Sequence, residues 1–197
     1  MTYMVDKYAE NDNLYPKDLK KRAIVNQRLH YSGGVIFCRL LGALQPLLRG
    51  TTKTVSPASQ QFLEDSYKYM NTILDGRKWL AGDSYTLADI SSITAISSVT
   101  VFKSINDYPN LINWMKNCQE LPGFTDIAAV GIKEFHDLVS QQSFFLINST
   151  NYCTIPRKRI MGILKVSRSL FFLTHVQFVV VLIPSYYVLL KLPPKKS

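Results

Sequence analysis

The chain is short of cysteine everywhere and of acid at one end, and each scarcity narrows what it can be. Cys38, Cys118 and Cys153 are the three cysteines among 197 residues, and none is spaced as CxxC. That is too few and too scattered for a disulfide framework or a zinc site, and it suits a reducing compartment. No Gly-rich phosphate loop, HExxH or EF-hand pattern occurs, so no metal site is expected. Repeats and low-complexity stretches are also missing, as is strand-like alternation of useful length before residue 143. The first twelve residues hold no apolar core behind a basic region, which argues against a secretory signal. Acidic residues are lacking altogether from 143–197, which carry eight Lys and Arg, while residues 1–142 carry fifteen basic against fourteen acidic side chains. The formal charge of +9 therefore divides into a nearly neutral body and a basic tail, and no nucleic-acid partner is expected of the body.

What is present reads as successive helices. Pro16 opens a helix expected from Lys17, with Asp18 in its first turn, where negative charge suits the helix dipole. Ile24, Arg28, Tyr31, Val35, Cys38, Leu41 and Gln45 recur at steps of three and four, the spacing of one helix face. Gly33-Gly34 is either a weak point in that helix or a place where another backbone comes close. Pro46 bends or ends the segment, and Ser56-Pro57 starts a second helix with an apolar stripe at Phe62, Tyr69, Ile73 and Leu74. Asp75-Gly76-Arg77 stops it. Further helices are expected from Leu87 to about Val101, from Pro109 to about Glu120, and from about Thr125 to Gln142, with Pro122-Gly123 between the last two.

The best-defined local signal is Thr86-Leu-Ala-Asp89. A threonine at the N-cap and an acid three residues on can exchange hydrogen bonds as a capping box, with aspartate replacing the usual glutamate. Tyr85 and Ile90 flank the cap as a hydrophobic staple. The helix that follows mixes isoleucines with small polar residues, a composition for a buried central helix with close neighbours.

Several spaced motifs then occur in one order: NLYPKD (13–18), VNQRLHY (25–31), GVIFCRL (34–40), WLAGDSYTLADI (79–90), YPNLINW (108–114) and LPGF (121–124). Together they resemble the C-terminal helical domain of cytosolic glutathione transferases, the insect delta and epsilon classes in particular, epsilon more than delta. The resemblance implies an all-α helical bundle over 11–142, with 1–10 as the end of the helix leading out of a thioredoxin-like N-terminal domain. That domain, with its thiol-activating serine or tyrosine, its cis-proline and its Glu-Ser pair, has no counterpart here, so no catalytic residue is assigned. The complete family member takes glutathione as co-substrate and conjugates it to hydrophobic electrophiles in the cytoplasm; a homodimer is a further expectation. As written, the chain is expected to be a truncated form with little or no activity.

The resemblance also places a hydrophobic-substrate wall at Phe37, Leu40, Leu41, Leu44 and Gln45, which the helical period puts on one face. As ordinary apolar residues the same five would simply be core. His30 has no acid partner or nucleophile; His136 and Asp137, adjacent on a helix, point apart and form no dyad. Cys38, mid-helix, is expected to be an inert core residue, and Arg39 alone makes no carboxylate clamp.

From about Ser143 the family pattern stops. Asn148-Ser-Thr150 is an N-glycosylation sequon, meaningful only in a lumenal segment. Residues 170–190 run without a formal charge for twenty-one positions, enough to cross a hydrocarbon core of about 30 Å. One reading makes them a tail anchor, with Arg157, Lys158, Arg159, Lys165 and Arg168 on the cytoplasmic side. Against it stand His175, Gln177 and Pro184 within the span and Lys191, Lys195 and Lys196 beyond it. The other reading makes 143–197 translated intron or shifted-frame sequence; the abrupt loss of family pattern, the lack of acids and the missing N-terminal domain favour it.

Overall fold

The computed structural model describes residues 1–148. Within them seven α-helices and two π turns form an all-α bundle, and among the described residues there is no strand. The candidate span 170–190, the hydroxyl residues of the sequon and the basic tail lie outside the described residues.

Helix α1, Thr2–Tyr8, is followed by a loop into α2, Leu19–Tyr31. The expected start at Lys17 is two residues early. Asp18 has a non-helical backbone and serves as N-cap, its carboxylate accepting from the Lys21 amide at 2.9 Å. A π turn, Ser32–Ile36, joins α2 to α3, Phe37–Leu48. Its Phe37 amide donates to the Ser32 carbonyl, one residue farther back than in an α-helix. Gly33 and Gly34 sit in this turn, and a Cβ at either would meet nothing within 4 Å, so close backbone approach is not what places them there.

That extra residue rotates α3 relative to α2; in α2, upstream of it, the core face already lies one position on from the expected stripe, at Val25 rather than Ile24. The stripe expected at Ile24, Arg28, Tyr31, Val35, Leu41 and Gln45 is only half-buried, and Cys38 is exposed. The face turned to the core is instead Val25, Ser32, Ile36, Leu40, Leu44 and Leu47. A single 3.6-residue period cannot be carried across a π turn.

Helix α4, Pro57–Ile73, starts at the Ser56 cap with Pro57 in its first turn. Its expected stripe holds at buried Leu74 and half-buried Ile73 and is corrected at the two rings. Phe62 is 55% exposed and Tyr69 36%, whereas Leu63, Tyr67, Met70 and Leu74 are buried. Each exposed ring leans on a neighbour: the Arg39 guanidinium lies 5.9 Å from the Phe62 ring centre, and the Tyr31 ring packs against that of Tyr69 at 4.3 Å with a 44° tilt. Gly76 then turns the chain with φ of +63°.

Helix α5, Leu87–Val99, is the hub. Twelve of its thirteen residues are buried, all but Ser91, and it contacts α2, α3, α6 and α7. Burial on every side is what an apolar helix with short polar residues permits. Two of those hydroxyls turn back on the helix itself, Thr94 donating to the Ser91 carbonyl at 3.0 Å and Ser98 to that of Thr94 at 2.9 Å, while the buried Ser92 hydroxyl has no partner. Helix α6, Pro109–Gln119, is capped from outside, because Asn71 of α4 accepts the amides of Asn110 and Leu111 at 3.0 and 3.2 Å. Gly123, with φ of +80°, turns into a second π turn, Phe124–Ala128, and α7, Ala129–Asn148, continues past the helix end expected at Gln142.

Candidate functional site

The strongest polar centre is Asp89. Thr86 caps α5 and its side chain accepts from the Ala88 amide at 3.3 Å, while the Thr86 amide donates to Asp89 Oδ2 at 2.9 Å, closing a capping box. The Thr86 hydroxyl reaches the same oxygen at 3.1 Å. Two further donors converge on Oδ1: the Leu80 amide at 2.9 Å and the Trp114 indole N–H at 2.8 Å. Asp89 has no exposed surface. Burial pushes its carboxyl above the ordinary value, and the four donors pull the other way by favouring the ionised form. A carboxylate with both oxygens occupied and no surface is a structural pin, unsuited to shuttling protons. Tyr85 is half-buried with its ring 5.8 Å from that of Trp79, and Ile90 lies in the core.

The wall candidates divide. Phe37, Leu40 and Leu44 are buried in the core, while Leu41 and Gln45 keep part of their surface. Only the latter two could touch a ligand in this arrangement. Arg39 is occupied within the fold, donating to the Phe62 carbonyl and the Ser66 hydroxyl at 2.9 Å each. Cys38 is exposed and its thiol lies 3.7 Å from the Gly33 carbonyl, so the core expectation for it is corrected; the π turn carries it outward. Cys118 is buried, and desolvation raises its thiol far out of the reactive range. His30 is exposed. His136 Nε2 lies 2.8 Å from the Ser97 carbonyl and Asp137 is exposed, so the two act apart. No group of three or more His, Cys, Asp or Glu that could hold a metal occurs among the described residues.

Two residues outside the sequence reading organise the other side of the bundle. Glu64 of α4 takes the Lys103 ammonium at 3.0 Å, the Lys68 ammonium at 3.3 Å and the Tyr108 hydroxyl at 3.2 Å. These donors, Lys103 foremost, hold its carboxyl below the usual range. Asn71 caps α6 as described. Asn71 carries no sequence signal, and Glu64 carries one only toward Lys68 four residues on, since its bond to Tyr108 and the Asn71 cap each span about forty positions of chain.

Two shallow clefts share Ala9, Glu10 and Asn11 where α1 meets the following loop. One, about 170 Å³, is completed by Asn13, Leu14, Ser84 and Tyr85. The other, about 290 Å³, adds Val5, Asp6, Asp12, Tyr15 and Lys17. Both hold short polar groups, several already paired: Asp12 accepts the Lys17 amide at 2.8 Å and Asp6 the Arg22 guanidinium at 3.0 Å. Neither assembles a nucleophile beside a base.

Comparison with known proteins gives this framework relatives. Residues 42–122 match the family model described as glutathione S-transferase, C-terminal domain. A glutathione S-transferase 1 of Manduca sexta is 35% identical over 143 residues, covering 71% of this chain and 65% of its own. Among solved structures, an epsilon-class glutathione S-transferase from the housefly Musca domestica is 34% identical, with a TM-score of 0.68 over 71% of this chain and 66% of that one. A delta-class glutathione transferase from Nilaparvata lugens is 31% identical, with a TM-score of 0.67 over 72% of this chain and 67% of that one. The chain thus spans just under two thirds of the length of the Manduca sexta relative.

Proposed function

The chain belongs to the glutathione S-transferase family, and from that premise we propose that residues 11–142 are its substrate-side helical domain, and that this 197-residue polypeptide by itself conjugates glutathione little or not at all. The observation that carries the second half is the chemistry of the described residues. Their best-connected carboxylate is buried and fully occupied, their buried thiol is raised out of range, and neither cleft pairs a nucleophile with a base. Transferase chemistry needs a group that stabilises the glutathione thiolate. Among the described residues no side chain takes the role of the family's catalytic hydroxyl or Glu-Ser pair, and no peptide bond is cis.

What the domain supplies is apolar surface for the electrophile. Leu41 and Gln45 are the accessible remainder of the wall, next to a core anchored by Leu40 and Leu44. Glutathione is the co-substrate of the intact enzyme, hydrophobic electrophiles its second substrates, and a cytoplasmic homodimer its working form. Titration separates these roles: an apolar aromatic probe binds weakly and Leu41→Ser weakens it further, while glutathione gives no saturable heat. Saturable glutathione binding overturns the reading.

A second reading is a non-catalytic module that binds lipophiles or partners at a membrane, and the uncharged run 170–190 favours it. Extraction from membranes by detergent but not by carbonate would support it.

A further inference from the structure

The loop between α3 and α4 contains the one Ser-Pro dipeptide in the chain, Ser56-Pro57, and the chain has no Thr-Pro. We propose that Ser56 is a phosphorylation site for a proline-directed Ser/Thr kinase. Four observations point there. Residues 49–56 are exposed except for half-buried Val55, so the serine stands on an open surface. Its backbone, φ −63° and ψ 149°, is extended, so the chain reaches the hydroxyl in extended form just before α4 begins at Pro57. Pro57 holds the position after the hydroxyl and its own φ is fixed by the ring, so the dipeptide presents little conformational freedom to be ordered on binding. Upstream, the loop is tied back only near its start, where the Thr51 and Thr52 amides and the Thr51 hydroxyl reach the Pro46 carbonyl at 3.0 to 3.4 Å.

The reaction balances with ATP as the donor. Ser56 Oγ attacks the γ-phosphorus, the bond to the β-phosphate oxygen breaks, ADP leaves, and the hydroxyl proton passes to the kinase's base. The product fits the fold. Ser56 Oγ already accepts from the Ser59 amide at 3.1 Å and lies 3.0 Å from the Ser59 hydroxyl. A phosphate there offers three acceptor oxygens to the Ser59 amide and to the Ser59 hydroxyl, which now accepts from Ser56 and would turn to donate, and it places negative charge at the first turn of α4. Modification therefore tightens the start of α4, whose far end holds the Asn71 cap of α6.

The test incubates the purified full chain with a proline-directed kinase and Mg-ATP, then maps phosphate by tandem mass spectrometry. A peptide of residues 49–60 serves as control. One phosphate is expected, on Ser56, with the melting temperature raised by about 1–4 °C. Ser56→Thr keeps the uptake; Ser56→Ala and Pro57→Ala lose it. Ser56→Ala removes a cap, so Pro57→Ala, which leaves the hydroxyl in place, guards against misreading a folding defect. Phosphate on another residue, or none on the chain while the peptide is modified in the same tube, overturns the proposal.

Discussion

The Trp114 indole N–H donates to Asp89 Oδ1 at 2.8 Å, and this one bond ties α6 to the capping box of α5. Both residues are buried, Trp114 at 1% exposure and Asp89 at 0%. Trp114→Phe keeps most of the ring but leaves a buried carboxylate short of one donor. The expected loss is about 1–3 kcal/mol in urea unfolding, with the helical signal of the native state unchanged. Asp89→Ala orphans the Leu80 amide and the indole together and opens the capping box, and costs roughly 3–5 kcal/mol. Equal losses for the two variants would contradict the hub.

Asn71 offers a cleaner test of a cap supplied across helices. Asn71→Ala removes the acceptor of two α6 amides and is expected to cost about 0.5–2 kcal/mol, while Asn71→Asp retains most of the stability. Denaturant melts of the two variants decide it.

Acid stability should follow Glu64. Its carboxyl is held below the ordinary range by Lys103, Lys68 and Tyr108. A depressed folded value means stability that is complete above the ordinary glutamate range and is lost as pH falls through the lower folded value. Glu64→Gln therefore flattens the acid limb of the stability curve. Asp89 contributes with the opposite sign: its raised value favours folding at low pH, and that advantage fades as pH climbs through it. Melting temperatures of both proteins between pH 3 and pH 7, in roughly the range where carboxyls titrate, separate the two slopes. An unchanged acid limb in Glu64→Gln would remove this residue from the account.

Thiol reactivity checks the rotation caused by the π turn. In a Cys153→Ser background, native protein is expected to take one maleimide quickly, at exposed Cys38, and a second only on unfolding, at Cys118. Slow labelling of Cys38 would return it to the core.

The residues that start helices were legible in the sequence, and those that bridge helices were not. Pro57, Thr86, Asp89 and Pro109 carry local signals, because capping is decided within a few positions. Asp18 was recognised as helpful charge but acts as the cap itself. The core-facing residues of α3 lie about one position from the expected stripe, and those of α4 share Leu74 with it but not the two rings. In α3 the cause is the π turn at Ser32–Ile36, and in α4 it is Phe62 and Tyr69, whose rings rest on Arg39 and Tyr31 at the surface. Of the wall candidates, the helical period grouped Phe37, Leu40 and Leu44 with Leu41 and Gln45 but had no means of telling core from rim. The bonds of Trp114 to Asp89, Glu64 to Tyr108 and Asn71 to α6 join distant stretches and leave no pattern in either.

Side-chain truncation along α3 separates core from rim. Leu44→Ala is expected to cost about 2–5 kcal/mol, as deletion from a closed core does, and Leu41→Ala no more than about 1 kcal/mol. The reverse order in thermal melts would place the substrate-side face on the opposite edge of the helix.

In our reading the helical domain folds around Asp89 and does not itself activate glutathione. Steady-state conjugation of an aryl halide by the purified 197-residue chain, run beside a circular dichroism melt, tests it most directly. A cooperative helical melt with turnover at the uncatalysed rate is the predicted result. Saturable turnover in both glutathione and electrophile, from the same folded sample, would contradict it.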